Sequence, residues 1–415
     1  MHADLFKDRV NFILELATQL HNSGTTVNRL EGALERVAGK FNLVVNIWSN
    51  PTGIMISFLD PIKGEPYTIT RVLRLQPGET NLGRLADADA IAEQVLSGEM
   101  NIQQGLVNLQ VPDKESGLAN KYFRIVCYGL ASAMVVSLFP RTGFADLLSS
   151  FGLGLLIGLI VQYSSVHTHV NDAHEAIAAF VITLLASLIA SFIAPLSLQP
   201  VIISVLITLM PGLMLTLAVN ELANQQLVSG TARFAGAVMV LMKLTFGSMI
   251  ASGLVLLFNW QYMSNLDFPV LPQWLAWFMV LPGSFALAVL FKANKKDIPI
   301  AMSAVLLGFA LMKACSLVPE LVNGKLPMAV FISALGVTMV SNLYAQKFNR
   351  PGALIRVPGI ILLVPGSLGF TTLNVVFSKD ISGSLDLAFS VIAALIALVA
   401  GILFGNLLVS SRRYL

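Results

Sequence analysis

The chain of 415 residues is 55% hydrophobic and only 12% charged, with a mean hydropathy of +0.76. Soluble globular proteins carry about 25% charged residues, so this composition excludes a disordered chain, a nucleic-acid-binding domain and an ordinary cytosolic enzyme. The net charge of +3 averages two unlike parts, because residues 1–120 hold 10 Lys/Arg and 14 Asp/Glu, whereas residues 121–415 hold 16 Lys/Arg and 9 Asp/Glu. Cys127 and Cys315 lie in apolar runs and indicate neither a disulfide framework nor a metal site.

The acidic N-terminal segment, residues 1–118, has the pattern of a small α+β domain. Residues 1–20 carry scattered charges without an apolar stretch, so we expect no signal peptide there. Apolar residues at helical spacing predict helices over residues 5–20, 26–40 and 82–96. Runs of β-branched and aromatic residues predict strands over 43–49, 52–59 and 67–75. We expect this domain to be cytoplasmic, with residues 112–117 as a linker.

The rest of the chain has the pattern of a polytopic helical membrane protein. A helix needs roughly 20 apolar residues to cross a bilayer, and ten such windows follow one another, separated by Pro, Gly, Asn or charged residues. The windows are residues 121–139, 144–162, 174–195, 199–219, 233–258, 272–291, 298–317, 327–345, 355–376 and 387–409.

Charge in the loops predicts the orientation of these spans. With the N-terminal segment in the cytoplasm, eleven Lys/Arg fall on the cytoplasmic side, and only Arg141, Lys325 and Lys379 fall on the other. Positive charge favours the cytoplasmic side, so we expect both termini inside and the protein in the cytoplasmic membrane. We expect the lipid bilayer and a small-molecule substrate as partners and no nucleic acid. The oligomeric state is left open, a homo-oligomer included.

The last five windows resemble the first five when they are shifted by 154 residues. Pro211-Gly212 then falls on Pro365-Gly366, and Asn220 falls on Asn374. Because each unit has an odd number of spans, the second unit must be inverted relative to the first, which is the plan of secondary transporters. The two units are residues 119–262 and 263–415.

Both Pro-Gly pairs lie in the middle of a predicted span, and we expect the substrate site there. Proline removes a backbone donor and glycine adds conformational freedom, so each helix should break and expose backbone groups to a ligand. The half-helix that begins after each break would direct the positive end of its dipole at a carboxylate. The structural alternative is a helix kink that is packed against its neighbours and binds no ligand. The candidate residues are Pro211, Gly212, Thr216, Asn220, Pro365, Gly366, Ser367, Thr371, Thr372 and Asn374.

Charged residues near the spans are candidates for proton coupling or for a counter-charge. Lys243 lies about ten residues into the fifth window, roughly 15 Å deep, where a charge usually faces a pathway or a partner. The structural alternatives are a lysine that snorkels to the interface or one that pairs with Glu221. Residues 167–175 hold three histidines and two carboxylates in a predicted cytoplasmic loop. Asp172 and His174 suit pH sensing or a proton relay, and Asp172 with Glu175 also suits helix capping. We expect no bound metal, because ligands in a loop of unknown geometry are a weak signal.

Several stretches resemble the threonine/serine exporter family, and no Ser-His-Asp, phosphate-loop or HExxH pattern suggests an enzyme. The stretches are residues 16–34, 50–58 and 209–233, and residues 357–359 and 363–367 are similar to a module that some members carry as a separate subunit. The resemblance covers nearly the whole chain. It implies a fused single-chain exporter of L-threonine and L-serine that is driven by the proton motive force, with no other cofactor. Glu221 lies where the family often has an acidic residue.

Two other functions stay open. Members of the split form are associated with succinate export, and a C4-dicarboxylate could use Lys243 as its counter-charge. A membrane-anchored sensor with the N-terminal segment as its output is the third reading. The doubled Pro-Gly pairs argue against a sensor, because a sensor needs no site in the middle of the membrane.

Overall fold

The structure is a computed structural model that describes residues 2–59, 68–111, 118–263, 270–318, 327–377 and 381–410. The predicted linker over residues 112–117 lies outside these ranges. So do four of the charges that were used to predict orientation, namely Lys325, Lys379, Arg412 and Arg413.

The N-terminal segment contains four helices and a three-stranded antiparallel sheet in the order β1-β2-β3. Asn50 pairs with Gly53 across the first turn, and its side chain accepts the Thr52 N–H at 2.9 Å, which stabilises the turn that the sequence predicts there. Apart from α4, the elements lie within three residues of their predicted positions. They are α1 His2–Asn22, α2 Val27–Lys40, β1 Val44–Asn50, β2 Gly53–Leu59, β3 Thr68–Arg74, α3 Leu82–Ser97 and α4 Ile102–Gln110.

Helix α4 is absent from the sequence prediction, although its start carries a signal. The side chain of Asn101 accepts the Gln104 N–H at 2.7 Å, as that of Asn81 accepts the Arg84 N–H at 2.9 Å at the start of α3. Asparagine is a favoured N-cap residue because it satisfies one of the free amides of the first turn. The helix has only nine residues, so the apolar pattern after Asn101 is too short to predict it.

The N-terminal segment is packed directly onto the membrane helices. Ala353 and Leu354 belong to the same buried apolar cluster as residues of α1, α2, α3, α4 and the sheet. At the start of α3, the Gly83 N–H donates to the Lys292 carbonyl at 3.0 Å. A Cβ at Gly83 would lie only 2.6 Å from that carbonyl oxygen, so the close approach requires glycine.

Apart from α7, which lies between the second and third windows, the remaining helices coincide with the ten predicted windows, two of which contain an interrupted helix. They are α5 Leu118–Ser137, α6 Phe144–Ser164, α7 Thr168–Asn171, α8 His174–Phe192, α9 Leu198–Leu206, α10 Gly212–Ala223, α11 Leu227–Leu257, α12 Gln273–Leu290, α13 Ile298–Ser316, α14 Met328–Phe348, α15 Ala353–Ile360, α16 Gly366–Phe377 and α17 Ile381–Leu408. A 3₁₀ turn, Ile361–Leu363, follows α15.

Seven segments of the described residues are long and apolar enough to cross a membrane. They are α6, α8, α11, α13, α14, the interrupted segment from α15 to α16, and α17. Two shorter apolar helices lie at α10 and α12. The chain is therefore a polytopic helical membrane protein, and the count of ten spans stays a prediction.

Equivalent helices of the two predicted units pack in equivalent pairs. α8 packs along α11 as α14 packs along α17, and α5 packs against α12, the first helix of the other unit. The short helices contact the opposite unit, α10 against α17 and α16 against α11. This arrangement brings the two interrupted helices to the boundary between the units.

Candidate functional site

Both predicted helix breaks are present and share one backbone geometry. In each break the glycine N–H bonds the carbonyl two residues back, Gly212 to Met210 at 2.8 Å and Gly366 to Val364 at 2.9 Å. The proline carbonyl then accepts the first i+4 bond of the new helix, from Leu215 at 2.9 Å in one break and from Gly369 at 3.1 Å in the other. The two Pro-Gly segments are therefore copies of one local structure.

The two breaks are in direct contact. A Cβ built on Gly366 would lie 3.2 Å from the Cα of Gly212, and one built on Gly212 would lie 2.5 Å from Cγ1 of Val364. Backbones approach so closely only where side chains are absent. The first turns of α10 and α16 therefore meet, and each brings the positive end of its helix dipole to the same place.

A cavity of about 210 Å³, which we call the break cavity, opens beside this contact. Gly212 and Gly366 line it, and most of its other lining side chains are apolar. Among the polar exceptions are Tyr128 and Thr208, and the Thr208 Oγ1 is buried without a hydrogen-bond partner among the described residues. An unsatisfied buried hydroxyl costs about 1–3 kcal/mol, so a small ligand with a polar group would be stabilised here.

The structure divides the predicted site residues between two places. Gly212 and Gly366 meet at the break cavity, whereas Thr216 and Asn220 line a second cavity between the N-terminal segment and helices α10 and α15, which we call the interface cavity. Ser367, Thr371 and Asn374 are not among the described lining residues of either cavity. The hydroxyls of Thr216, Thr371 and Thr372 donate to carbonyls one turn back, those of Gly212 at 3.2 Å, Ser367 at 2.9 Å and Leu368 at 2.7 Å.

Glu221, near the end of α10, is 1% exposed and is bonded through both carboxylate oxygens. Oε2 accepts the Ser229 Oγ–H at 2.6 Å and lies 3.0 Å from Nε of Arg233, while Oε1 accepts the Val27 N–H at 3.2 Å. Val27 begins α2, whose N-cap residue Thr26 makes no side-chain cap bond, so Glu221 caps α2 from another part of the chain. This carboxylate therefore connects α10, α11 and the N-terminal segment.

Arg233 is the partner of Glu221 that sequence reasoning missed. Its Nη2 also donates to the Thr25 carbonyl at 3.4 Å, which adds a second link to the N-terminal segment. A signal was available, because a buried carboxylate requires a cation and Arg233 is the first cation after Glu221 in the chain. The predicted fifth window begins at residue 233, so the sequence analysis counts Arg233 only among the eleven cytoplasmic charges, whereas α11 begins at Leu227.

Lys243 does not pair with Glu221 and lies nearer the end of the spans than its window predicts, and its role as a coupling or counter-charge residue stays a prediction. Its Nζ donates to the Asp172 carbonyl at 2.8 Å and lies 3.5 Å from Oε2 of Glu175, at the start of α8. The cause is the length of α11, which has 31 residues and measures about 46 Å. That exceeds the roughly 30 Å apolar layer, so Lys243 lies nearer the end of the spans than its window implies.

The histidine-rich residues 167–175 hold no group of three His, Cys, Asp or Glu that could bind a metal, as far as the structure describes them. His174 Nδ1 lies 2.6 Å from the Asn171 carbonyl oxygen and 3.4 Å from the Glu175 carboxylate. His174 also lines a cavity of about 370 Å³ together with three cations, Lys121, Arg124 and Lys292. A coupling role for His174 and Asp172 stays a prediction.

Comparison with known proteins identifies the family. Residues 11–255 match the family described as putative threonine/serine exporter, and residues 276–408 match the one described as Threonine/Serine exporter, ThrE. The chain belongs to the threonine/serine exporter family. Both modules of the family are present in one chain, as the sequence predicts.

Relatives of this exporter-family chain include fungal membrane proteins. Pheromone-regulated membrane protein 10 of Eremothecium gossypii is 23% identical over 376 residues, which are 88% of this chain and 49% of the relative. Its namesake in Zygosaccharomyces rouxii is 21% identical over 438 residues, 98% of this chain and 43% of the relative. An uncharacterised Schizosaccharomyces pombe protein is 22% identical over 376 residues, 88% of this chain and 44% of the relative. The chain thus spans less than half the length of these relatives, and no solved structure matches it.

The contact between the breaks predicts that Gly212→Ala destabilises the protein. The added methyl group would lie 2.5 Å from Val364, and such overpacking costs about 1–3 kcal/mol, so the thermal unfolding midpoint in detergent should fall by several degrees. The matched control is Gly152→Ala on α6, where a Cβ meets nothing within 4 Å. There alanine should leave the midpoint unchanged or raise it. Equal midpoints for the two variants would contradict the contact.

Proposed function

We propose that this protein is a secondary transporter that exports L-threonine and L-serine across the cytoplasmic membrane in exchange for protons, with no cofactor. The observation that carries the proposal is the contact between two equivalent helix breaks beside a small cavity, in a chain of the threonine/serine exporter family. Both termini would lie in the cytoplasm. The cytoplasmic position of the N-terminal segment would let it receive the substrate.

In this proposal, residues 119–262 and 263–415 are inverted repeats of five spans each. The identical hydrogen bonding of the two Pro-Gly segments and the equivalent packing of α8 with α11 and of α14 with α17 support it. Transporters of this plan bind substrate near the middle of the membrane, where interrupted helices of the two repeats meet. The break cavity lies beside the contact between the two interrupted helices, which supports this assignment.

A zwitterionic hydroxy amino acid matches the groups around the break cavity. The substrate carboxylate would accept from the first-turn amides of α10 and α16, which precede the helical bonds made by Leu215 and Gly369. The ammonium group would donate to carbonyls at the end of α9. The unpartnered hydroxyl of Thr208 is available for the substrate hydroxyl. Each freed backbone group would then have a partner without water.

Glu221 is the coupling residue in this proposal. Protonation would neutralise its carboxylate, which removes the ionic attraction to Arg233 and weakens the bond to the Val27 N–H. Helix α10, which starts at the break, would then be free to move relative to α11. Leu213 lines both the break cavity and the interface cavity, so a movement of α10 would change the wall that separates them.

Transport in proteoliposomes tests the proposal. With the purified protein reconstituted and a pH gradient imposed, labelled L-threonine and L-serine should move against the proton flux, faster than in protein-free vesicles. Labelled succinate should not move. No gradient-dependent movement of either amino acid would contradict the proposal, and movement of succinate alone would favour a C4-dicarboxylate exporter.

Glu221→Gln should separate coupling from binding. Glutamine keeps the shape and can still accept hydrogen bonds, but it cannot release a proton. We expect pH-driven threonine transport to fall at least tenfold while threonine exchange at equal pH persists. The control is Glu35→Gln, at an exposed carboxylate of α2. If pH-driven transport by Glu221→Gln equals that by Glu35→Gln, Glu221 is not the coupling residue.

A further inference from the structure

The interface cavity, of about 70 Å³, lies where the N-terminal segment meets α10 and α15. A buried water needs about 10–15 Å³ of such space, so the cavity has room for several water-sized groups. Its lining combines aliphatic residues such as Leu85 and Ile360 with the side chains of Thr25, Arg29 and Arg356. A small molecule with a short aliphatic part and a polar end would match this lining.

Two arginines line this cavity without a carboxylate. The guanidinium group of Arg29, in the first turn of α2, has no hydrogen bond or ion pair within the part of the chain that the structure describes. Burial alone lowers the pKa of Arg29 to about 10. Arg356 is 9% exposed and donates only to neutral amide oxygens, to that of Asn342 at 2.5 Å and to that of Asn406 at 3.3 Å. Charges without a counter-charge are costly where they are removed from water. Arg356 is buried and Arg29 is half-buried, so the two guanidinium groups together favour an anion.

Further donors around the cavity are also unused. The Nε of Arg356 and the Oγ1 of Thr25 are buried and have no hydrogen-bond partner among the described residues. The start of α2, at Thr26 and Val27, faces the same region and adds the positive end of a helix dipole. The nearby carboxylate of Glu221 does not supply the missing charge, because Arg233, Ser229 and the Val27 N–H already occupy it.

We propose that the interface cavity binds a small carboxylate anion between Arg29 and Arg356. An arginine pair suits a carboxylate, because the planar guanidinium group can donate two parallel hydrogen bonds to its oxygens. Leu213 lines both this cavity and the break cavity. The bound group would be the carboxylate of the exported molecule before it reaches the breaks, and this last assignment rests on the proposed function.

Direct binding tests the site without transport. The thermal unfolding midpoint of the full chain in detergent is measured against increasing acetate, succinate, L-threonine and L-threoninamide, with sodium chloride at equal ionic strength as the blank. A ligand that binds only the folded state raises the midpoint. We expect at least one carboxylate to raise it and threoninamide, which lacks the carboxylate, to have no effect.

Variants assign the binding to the cavity. Arg29→Gln should weaken carboxylate binding at least tenfold. Arg29→Lys keeps the charge but cannot donate two parallel hydrogen bonds, so it should weaken binding less. Because Arg29→Gln removes an unpaired, half-buried charge, the empty variant should unfold at or above the wild-type midpoint. A purely structural arginine would lower it. Arg36→Gln, which removes the same charge from α2 away from the cavity, should bind as the wild type does.

The outcomes separate this site from the proposed function. Binding of L-threonine that depends on Arg29 assigns the site to the exported molecule, whereas binding of acetate or succinate alone assigns it to free carboxylates. The proposal is overturned if no carboxylate raises the midpoint or if Arg29→Gln binds as tightly as Arg36→Gln. If the protein does not transport amino acids but still binds a carboxylate in a way that depends on Arg29, the exporter proposal is wrong and the carboxylate site stands.

Discussion

Backbone groups that are freed in the middle of an apolar helix must find partners without water, and the arrangement of the membrane helices follows from this constraint. The helical segments before the breaks end at Leu206 and Leu363, and the glycine after each proline, Pro211 or Pro365, begins the next helix. The two glycines permit the breaks to touch, so each half supplies the surroundings of the other half's break. A side chain at Gly212 would lie 2.5 Å from Cγ1 of Val364, which would force the helices apart and expose unpaired amides and carbonyls to hydrocarbon.

Helix α10 transmits the effect of this contact to the rest of the chain. It starts at Gly212 in the paired breaks and carries Glu221 nine residues later, about 14 Å along the helix. Glu221 binds Arg233 of α11 and the first amide of α2. The N-terminal segment is thus attached to the same short helix that lines both cavities. A change of charge at Glu221 and a ligand bound at the breaks would therefore both act on helix α10.

Local patterns were sufficient to predict much of the fold and part of the site. The strands, most helices and both breaks follow from signals within a few residues, such as Asn50-Pro51 and the repeated Pro-Gly pairs. The depth of Lys243 could not be predicted, because it depends on where α11 begins relative to its neighbours. The convergence of Arg29 with Arg356 has no local signal either, since packing alone brings these distant parts of the chain to one cavity.

A disulfide across the two breaks tests most directly whether they meet and move during transport. The Cβ of Met210 lies 3.5 Å from a Cβ built on Gly366, within the range of about 3.5–4.5 Å found in disulfides. With Cys127 and Cys315 replaced by alanine, Met210→Cys with Gly366→Cys should cross-link under mild oxidation and stop threonine exchange, and reduction should restore it. Each single variant should be insensitive to oxidation. A folded double variant that does not cross-link, or one that still exchanges threonine when cross-linked, would contradict the account.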